Sequence, residues 1–414
     1  MSAGRLQAPR GTFDVAPSEA RRRLRLLRIA EEVLGSAGYE PFETPVFEDT
    51  ELFARGVGES TDIVQKEMFT FADQAGRSLT LRPEATAAIC RAYVEHGMHK
   101  RPQPVKLWTW GPFFRHEAPQ AGRFRQFTQL DAEALGSDDP SVDAELILLL
   151  AELLERAGVA ETTLRLSSLG TPQTRALYLE ELRAYLREHK DELSDDVRAR
   201  LDQNPLRAFD ADHPGTRAVM KRGPRLLDRL PPEDAEHFER VRELLDDAGQ
   251  AYVVDSTLVR GLDYYTRTVF EFESPRLGAQ SALGGGGRYD LLIEELGGPP
   301  TPGVGWAAGI ERILLAAGGE DGGGDSRVYV ALAKPDASRA GFNLARRLRE
   351  EGFRVEMEQA GRSLRGQLRQ ADRIGAGTTF IVGDGIDVRD MRSGEQRHAA
   401  DADEALALVR ESGA

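Results

Sequence analysis

The sequence predicts a multidomain chain that mixes strands and helices, and three observations predict it. Residues 108–136 hold two β-prone runs separated by turn residues, which read as an antiparallel hairpin with a long polar loop. Residues 172–250 become helical, charged and poor in aromatics, punctuated by Pro205, His213-Pro214 and Pro231-Pro232, and read as an inserted helical subdomain. Beyond the flexible glycine-rich linker 318–326, strand-like and helix-like stretches alternate, which argues for a small α/β domain with largely parallel pairing. With 414 residues, 40% of them hydrophobic, the chain can bury a large core and form two or three domains.

Composition narrows the function classes. No run of 18 apolar residues exists, so no membrane-spanning helix is expected. The first residues, MSAGRLQAPRGTFD, have no apolar signal core, which argues for a cytoplasmic protein. The single cysteine, Cys90, excludes an internal disulfide and a cysteine-based zinc cluster. His96 and His99, the nearest approach to a metal pattern, lack further ligands nearby and read as a surface feature. The net charge of −14 is uneven: residues 327–414 hold 15 Lys+Arg against 14 Asp+Glu, and residues 1–326 hold 39 against 54. Bulk acidity leaves nucleic acid open as a partner, because local basic patches set the contact, and predicts few phosphate contacts.

Taken in order, Pro9–Asp14 is a turn-rich entry and Pro17-Ser18-Glu19 starts a helix. Over 18–36, Leu24, Leu27, Ala30, Val33 and Leu34 fall at helical spacing among Arg21, Arg22, Arg23, Arg25 and Arg28. The arginines read as a solvated or interface face, with a nucleic-acid patch as the sharper alternative. Gly38 ends the helix, and residues 39–47 form a short strand broken by Pro41 and Pro45. A short helix and a polar loop follow over 52–64. Residues 68–71 and 78–81 are strands around the turn 73–76, and Arg82-Pro83-Glu84 leads into a helix over 85–96. Glu84 sits where a strand hands over to a helix; it either presents a carboxylate to a ligand or complements the helix dipole.

In the second run of the hairpin, alternation puts Arg125, Phe127, Gln129, Asp131 and Glu133 on one side. That face is too charged for a core, and it reads as a binding floor, with a solvated edge as the alternative. Residues 141–157 form an apolar amphipathic helix with Ser141 as cap, and 164–166 a short strand. Strand character returns at 252–255 and 268–273. Between them Arg260, Tyr264 and Tyr265 stand in a segment suited to burial, where an arginine needs an anionic partner and a tyrosine a hydrogen bond. Gly284–Gly287 removes side chains so that a backbone or ligand can approach, without the pattern of a P-loop. Gly303–Gly309 imitates a dinucleotide fingerprint, but the spacing is wrong and Pro299, Pro300 and Pro302 stand where a parallel strand belongs. It reads instead as a glycine-packed strand entering the helix 310–317, which displays Glu311 and Arg312 at its first turn.

These stretches, in this order, resemble the histidyl-tRNA synthetase family of class II aminoacyl-tRNA synthetases over essentially the whole chain. Residues 9–47 are similar to the first class II motif, residues 114–133 (beginning Phe114-Arg115-His116-Glu117) to the second, and 303–315 with Arg312 to the third. Residues 258–265 (LVRGLDYY) and 286–290 (GGRYD) resemble the two histidine-specific segments. The resemblance implies an α+β catalytic domain, an antiparallel sheet flanked by helices, over 1–171 and 251–317. It further implies a helical insertion over 172–250, a linker at 318–326 and an α/β anticodon-binding domain over 327–414. The implied activity is that of a histidine-tRNA ligase. ATP and L-histidine give histidyl-adenylate and pyrophosphate, and histidine then passes to the 3′ end of tRNA(His), in a cytoplasmic homodimer.

On that resemblance the catalytic arginines are Arg115 on the α-phosphate, Arg312 on the γ-phosphate, and Arg260 bridging the substrate carboxylate and the α-phosphate. Planar, permanently charged guanidinium groups suit phosphate oxygens. Arg123 would hold the bent triphosphate, Glu117 and Phe124 would frame the adenine, and Mg2+ would arrive on ATP. Glu133 and Tyr264 would read the imidazole; Glu84, Thr86 and Gln129 would take the amino and carboxyl ends; Tyr289 would close the pocket. Gln120 falls where the family approaches the tRNA acceptor end. The chain departs from the family at Ala118, Phe124 and Thr128, where Arg, Tyr and an aromatic or His are common, and at Asp131, where a small residue is usual. The rival is a regulatory paralogue that binds a phosphoribosyltransferase of histidine biosynthesis. Such paralogues typically lack residues like 327–414 and erode the histidine-specific segments.

Overall fold

The computed structural model describes residues 6–58, 61–118, 122–202, 205–209, 211–258, 261–278, 281–319 and 327–411. Arg260 and Gln120 therefore lie outside the described residues. The chain divides into two compact units, Met1–Asp321 and Gly322–Ala414. No helix among the described residues is long and apolar enough to cross a membrane.

The first unit is built on an eight-stranded sheet. Its strands run, side by side, Glu40–Pro41, Val105–Phe114, Gln126–Leu135, Gly303–Gly309, Ala282–Arg288, Thr266–Glu273, Thr163–Ser168 and Val253–Val254. The six long strands pair antiparallel, while the two-residue strands at either edge pair parallel. Period-two alternation sorts side chains to the two faces. On one face Leu130, Ala132, Trp108, Trp306 and Phe270 pack beneath helices Pro17–Ser36, Pro140–Arg156 and Ile310–Ala317. On the other, Leu107, Phe113, Val269, Tyr264 and Tyr289 form a second core with helix Thr86–Glu95.

The central strands are packed around in a way that leaves no room for side chains at several positions. A Cβ on Gly286 would stand 1.9 Å from the carbonyl oxygen of Gly305, and one on Gly303 2.4 Å from the Tyr289 ring. The glycine run is thus an interior strand, and the Gly303–Gly309 stretch enters helix Ile310–Ala317 directly.

Two local expectations change. Helix Pro17–Ser36 buries Leu26, Ala30, Val33 and Leu34, and Leu24 is exposed. Two residues rotate a helix by about 200°, so Leu24 cannot share the face of Leu26. Helix Pro140–Arg156 is capped by Asp139, whose carboxylate accepts from Ser141 N at 2.8 Å, and not by Ser141. With Pro140 in the first turn, the residue before it becomes the cap. Residues 172–250 pack on two cores. Tyr178, Leu182, Leu186, Val197, Val219 and Met220 form a core of their own, whereas helix Pro232–Asp247 turns Phe238, Val241 and Leu245 into the main core.

In the second unit, five strands lie in the order Arg354–Met357, Arg327–Leu332, Thr378–Val382, Ile386–Asp390 and Gln396–Ala399. The first two pairings are parallel, through helices Ser338–Glu350 and Leu364–Arg373; the last two are antiparallel. The pairing is therefore evenly split, not largely parallel, because the connections after Val382 and Asp390 are too short for a parallel crossover.

Candidate active site

A cavity of about 340 Å3 opens above the strand Gln126–Leu135, large enough for a small ligand. Gln129 faces Gly111 on one neighbouring strand and Gly309 on the other, and the guanidinium of Arg82 takes the place that a side chain at 111 would fill. Asp131 lies between Thr109 and Ala307, and Glu133 between Leu107 and Gly305. The polar face expected of this strand is thus an interior floor, and the solvated-edge alternative falls: Gln129, Asp131 and Glu133 are all buried.

The cavity is bipolar. At the hairpin-loop end it is lined by Arg115, Arg123 and Arg312. Arg115 is fixed by a bond from Nε to the carbonyl of Pro83 at 2.9 Å and lies with its guanidinium 5.5 Å from the Phe127 ring centre. Arg312 donates from Nε to the carbonyl of Ala282. Burial pushes its pKa down, and the neighbouring charge of Arg123 pushes the same way. Two guanidinium groups held within repulsive range make a site that a polyanion relieves. Arg123 also pairs with Glu117 at 3.1 Å. Phe124 packs on Phe13 with ring centres 4.4 Å apart and turns toward the cavity. Phe13 belongs to the entry turn, where Gly11 (φ +86) leaves no room for a Cβ against the stem of Arg125.

The other end is acidic and aromatic. Glu84 lines the cavity, and its two oxygens accept from Thr86 N at 2.7 Å and Ala87 N at 3.0 Å at the start of helix Thr86–Glu95. Burial raises its pKa, while those bonds and Arg115 oppose the rise. Glu133 accepts from Thr86 Oγ1 at 2.6 Å and from the hydroxyl of Tyr289. Burial pushes its carboxyl up to about 8, against the pull of both hydrogen bonds. Tyr264 meets Tyr289 edge-on at 5.6 Å, and desolvation raises both phenols well above the ordinary value. The structure thus brings Glu84, Thr86, Gln129, Tyr264 and Tyr289 to the cavity wall, with Glu133 engaged by Thr86 and Tyr289 behind it.

Several supporting residues escaped the sequence reading. Arg23 donates to Thr128 Oγ1 at 2.8 Å and to Glu311 at 2.9 Å, and Glu311 in turn accepts from Thr128 N at 3.0 Å. Arg22 reaches the carbonyls of Leu314 and Gly318. Part of the arginine cluster therefore ties the first long helix to the arginine end of the cavity instead of facing solvent. Arg82 is 1% exposed, with its guanidinium over the Phe113 ring on the cavity side of the sheet, bonded to the carbonyls of Pro112 and Thr44. Glu271 lines the cavity near Arg312. Its position in an alternating strand gave no signal, because the opposite neighbour that exposes it is the glycine strand.

The model of the family described as histidyl-tRNA synthetase matches residues 11–313, and that of the anticodon binding domain matches residues 327–412. The chain is 48% identical to the histidine–tRNA ligase of Rubrobacter xylanophilus, over 95% of this chain and 96% of that protein. Its structure is similar to that of apo histidyl-tRNA synthetase from S. aureus, with a TM-score of 0.80, 35% identity, and coverage of 98% and 99% of the two chains. It also shares its fold, at 24% identity and a TM-score of 0.69, with a Bacillus halodurans protein titled an ATP phosphoribosyltransferase regulatory subunit/histidyl-tRNA synthetase, over 92% and 99% of the two chains. Both units are covered, and the match spans the whole cavity. This chain belongs to the histidyl-tRNA synthetase family.

Proposed function

We propose that this chain is a histidine–tRNA ligase that activates L-histidine with ATP and transfers it to tRNA(His). The observation that carries the reading is the bipolar cavity: three arginines at one end, buried carboxyls and tyrosines at the other, along a single strand. A triphosphate fits the first end and an amino acid bearing an ammonium and an imidazole fits the second.

Activation joins a histidine carboxylate oxygen to the α-phosphorus as the bond to the β-phosphate oxygen breaks and pyrophosphate leaves. Such transfers are accelerated mainly by positioning and by cations placed where negative charge gathers. Arg115 stands at the junction of the two ends and is assigned to the α-phosphate. Arg312 and Arg123 are assigned to the β,γ-phosphates, and Arg260 to the bridge between carboxylate and α-phosphate. Phe124 stacks on the adenine and Glu117 borders it. Glu84, Thr86 and Gln129 are assigned to the main-chain end of histidine, and Tyr264 and Glu133 to its ring. Because both Glu133 oxygens are engaged in the structure, reading a ring nitrogen exchanges one of these bonds for the ligand's. In the second step the terminal ribose hydroxyl of tRNA attacks the activated carbonyl and AMP leaves; Gln120 is assigned to that end of the tRNA.

Mg2+ bound with ATP would supply charge neutralisation on the phosphates. Glu117 and Glu271 line the cavity near Arg312 and would be the carboxylates to meet an ion carried on the phosphates. We further propose domain boundaries at 172–250, 318–326 and 327–414. The enzyme is proposed to be a cytoplasmic homodimer in which exposed Leu24 is covered. Incubation of the full chain with ATP, Mg2+, labelled histidine and a tRNA(His) transcript tests the reading. Histidyl-tRNA is the expected product, and its absence refutes the assignment.

A further inference from the structure

Three carboxyls, Glu84, Asp131 and Glu133, are buried together at the acidic end, and two of them are accounted for. Glu84 is held by backbone N–H groups and Glu133 by two hydroxyls. Asp131 is different. It is 0% exposed and lines the cavity, yet neither of its oxygens has a hydrogen-bond partner among the described residues. Thr109 Oγ1, opposite it in register, does not reach it and is likewise unpartnered. Two residues back along the same face, Oε1 of Gln129 also lacks a partner. Burial and the charges of Glu133 and Glu84 push the Asp131 carboxyl well above the ordinary range, with Arg82 and Arg115 opposing.

A buried carboxyl with no donor is costly, and a small residue at this point would remove the cost. The three unpartnered oxygens, two on Asp131 and one on Gln129, are all acceptors on one strand face. They call for a ligand group with several N–H donors and a positive charge. Of the two nitrogen-bearing ends of histidine, the neutral imidazole offers one N–H, and the α-ammonium offers three and a full charge.

We infer that Asp131 is a further substrate-binding residue, whose carboxylate accepts from the α-ammonium of the bound amino acid beside Gln129 Oε1. The inference rests on the reading of this site as the histidine site. Substrate then supplies the hydrogen-bond donors that Asp131 and Gln129 lack, so an ammonium is both attracted and required there, and a ligand without one leaves the buried carboxyl unbonded.

Titration calorimetry on the full-length protein tests this with three ligands: L-histidine, L-histidinol (ammonium and ring, no carboxylate) and 3-(imidazol-4-yl)propionate (ring and carboxylate, no ammonium). Asp131→Asn is expected to weaken L-histidine and L-histidinol by about tenfold or more, and to bind the propionate at least as well as the wild type. Asp131→Gly should give the same split, and neither variant should unfold at a lower temperature than the wild type, because a buried, unpaired acid is removed. Equal weakening of all three ligands, or unchanged histidine affinity, overturns the inference. Failure of the wild type itself to bind L-histidine overturns the reading of the site, and the inference with it.

Discussion

Alanine at position 305 should disable the acidic end of the cavity, proposed to take histidine, without touching any group assigned to ATP. The Cβ would stand 1.6 Å from Glu133 Oε2, 2.5 Å from its Cδ and 2.6 Å from the carbonyl oxygen of Ala132. These are far inside contact distance, so the Glu133 carboxyl must swing away. In doing so it gives up the bonds from Thr86 and Tyr289. Overpacking in a close-packed interior costs about 1–3 kcal/mol, and two net hydrogen bonds about 1 kcal/mol each. The first unit should therefore lose about 3–5 kcal/mol of unfolding free energy, read by urea denaturation, and histidine-dependent pyrophosphate exchange should be lost. Glu133→Ala alone should abolish exchange as well. In the double variant the carboxyl is no longer there to be displaced, so the two losses should fail to add by about 1–3 kcal/mol. Strict additivity, or a Gly305→Ala protein with wild-type exchange and stability, would refute the reasoning.

Arg312→Gln should lower kcat/KM for ATP by about 10- to 1000-fold and leave the Kd for histidine unchanged. A kcat/KM within twofold of wild type would withdraw the phosphate assignment. Glu133 has its pKa raised in the fold to about 8, against about 4.3 in an unfolded chain. The folded state thus keeps a proton that the unfolded state releases, so this group's contribution is full below about pH 4 and declines as pH rises toward 8. Glu84 and Asp131 shift the same way. Urea titrations of wild type and Glu133→Gln from pH 5.5 to 8.5 should show a shallower decline in the variant; parallel curves would contradict the shift. Asp139→Ala should cost about 1 kcal/mol of stability, and Ser141→Ala much less, with the reverse order restoring Ser141 as the cap.

Much of the site was legible because its signals were local. Alternation alone put Gln129, Asp131 and Glu133 on one face, and a charged face on an interior strand has few uses beside binding. Glu84 was marked by its place between a strand and a helix. What stayed hidden was set by distant partners. Arg23 and Glu311 are 288 residues apart, and nothing near Arg23 distinguishes it from Arg21 or Arg25 until the helix docks. The exposed Leu24 and buried Leu26 differ only in which side of one helix meets the sheet. Helix Pro232–Asp247 matches the insertion in composition, yet Phe238, Val241 and Leu245 join another core. In the tail, the alternation of strands and helices up to Val382 dominated the expectation of parallel pairing, and the two short connections that follow turn the last pairings antiparallel.

The most direct test of the account is ATP–pyrophosphate exchange with a panel of amino acids, followed by charging of tRNA(His). The account predicts exchange with L-histidine alone and formation of histidyl-tRNA. Exchange with histidine but no charging would favour a regulatory, synthetase-like protein, and exchange with threonine or proline would contradict the histidine site itself.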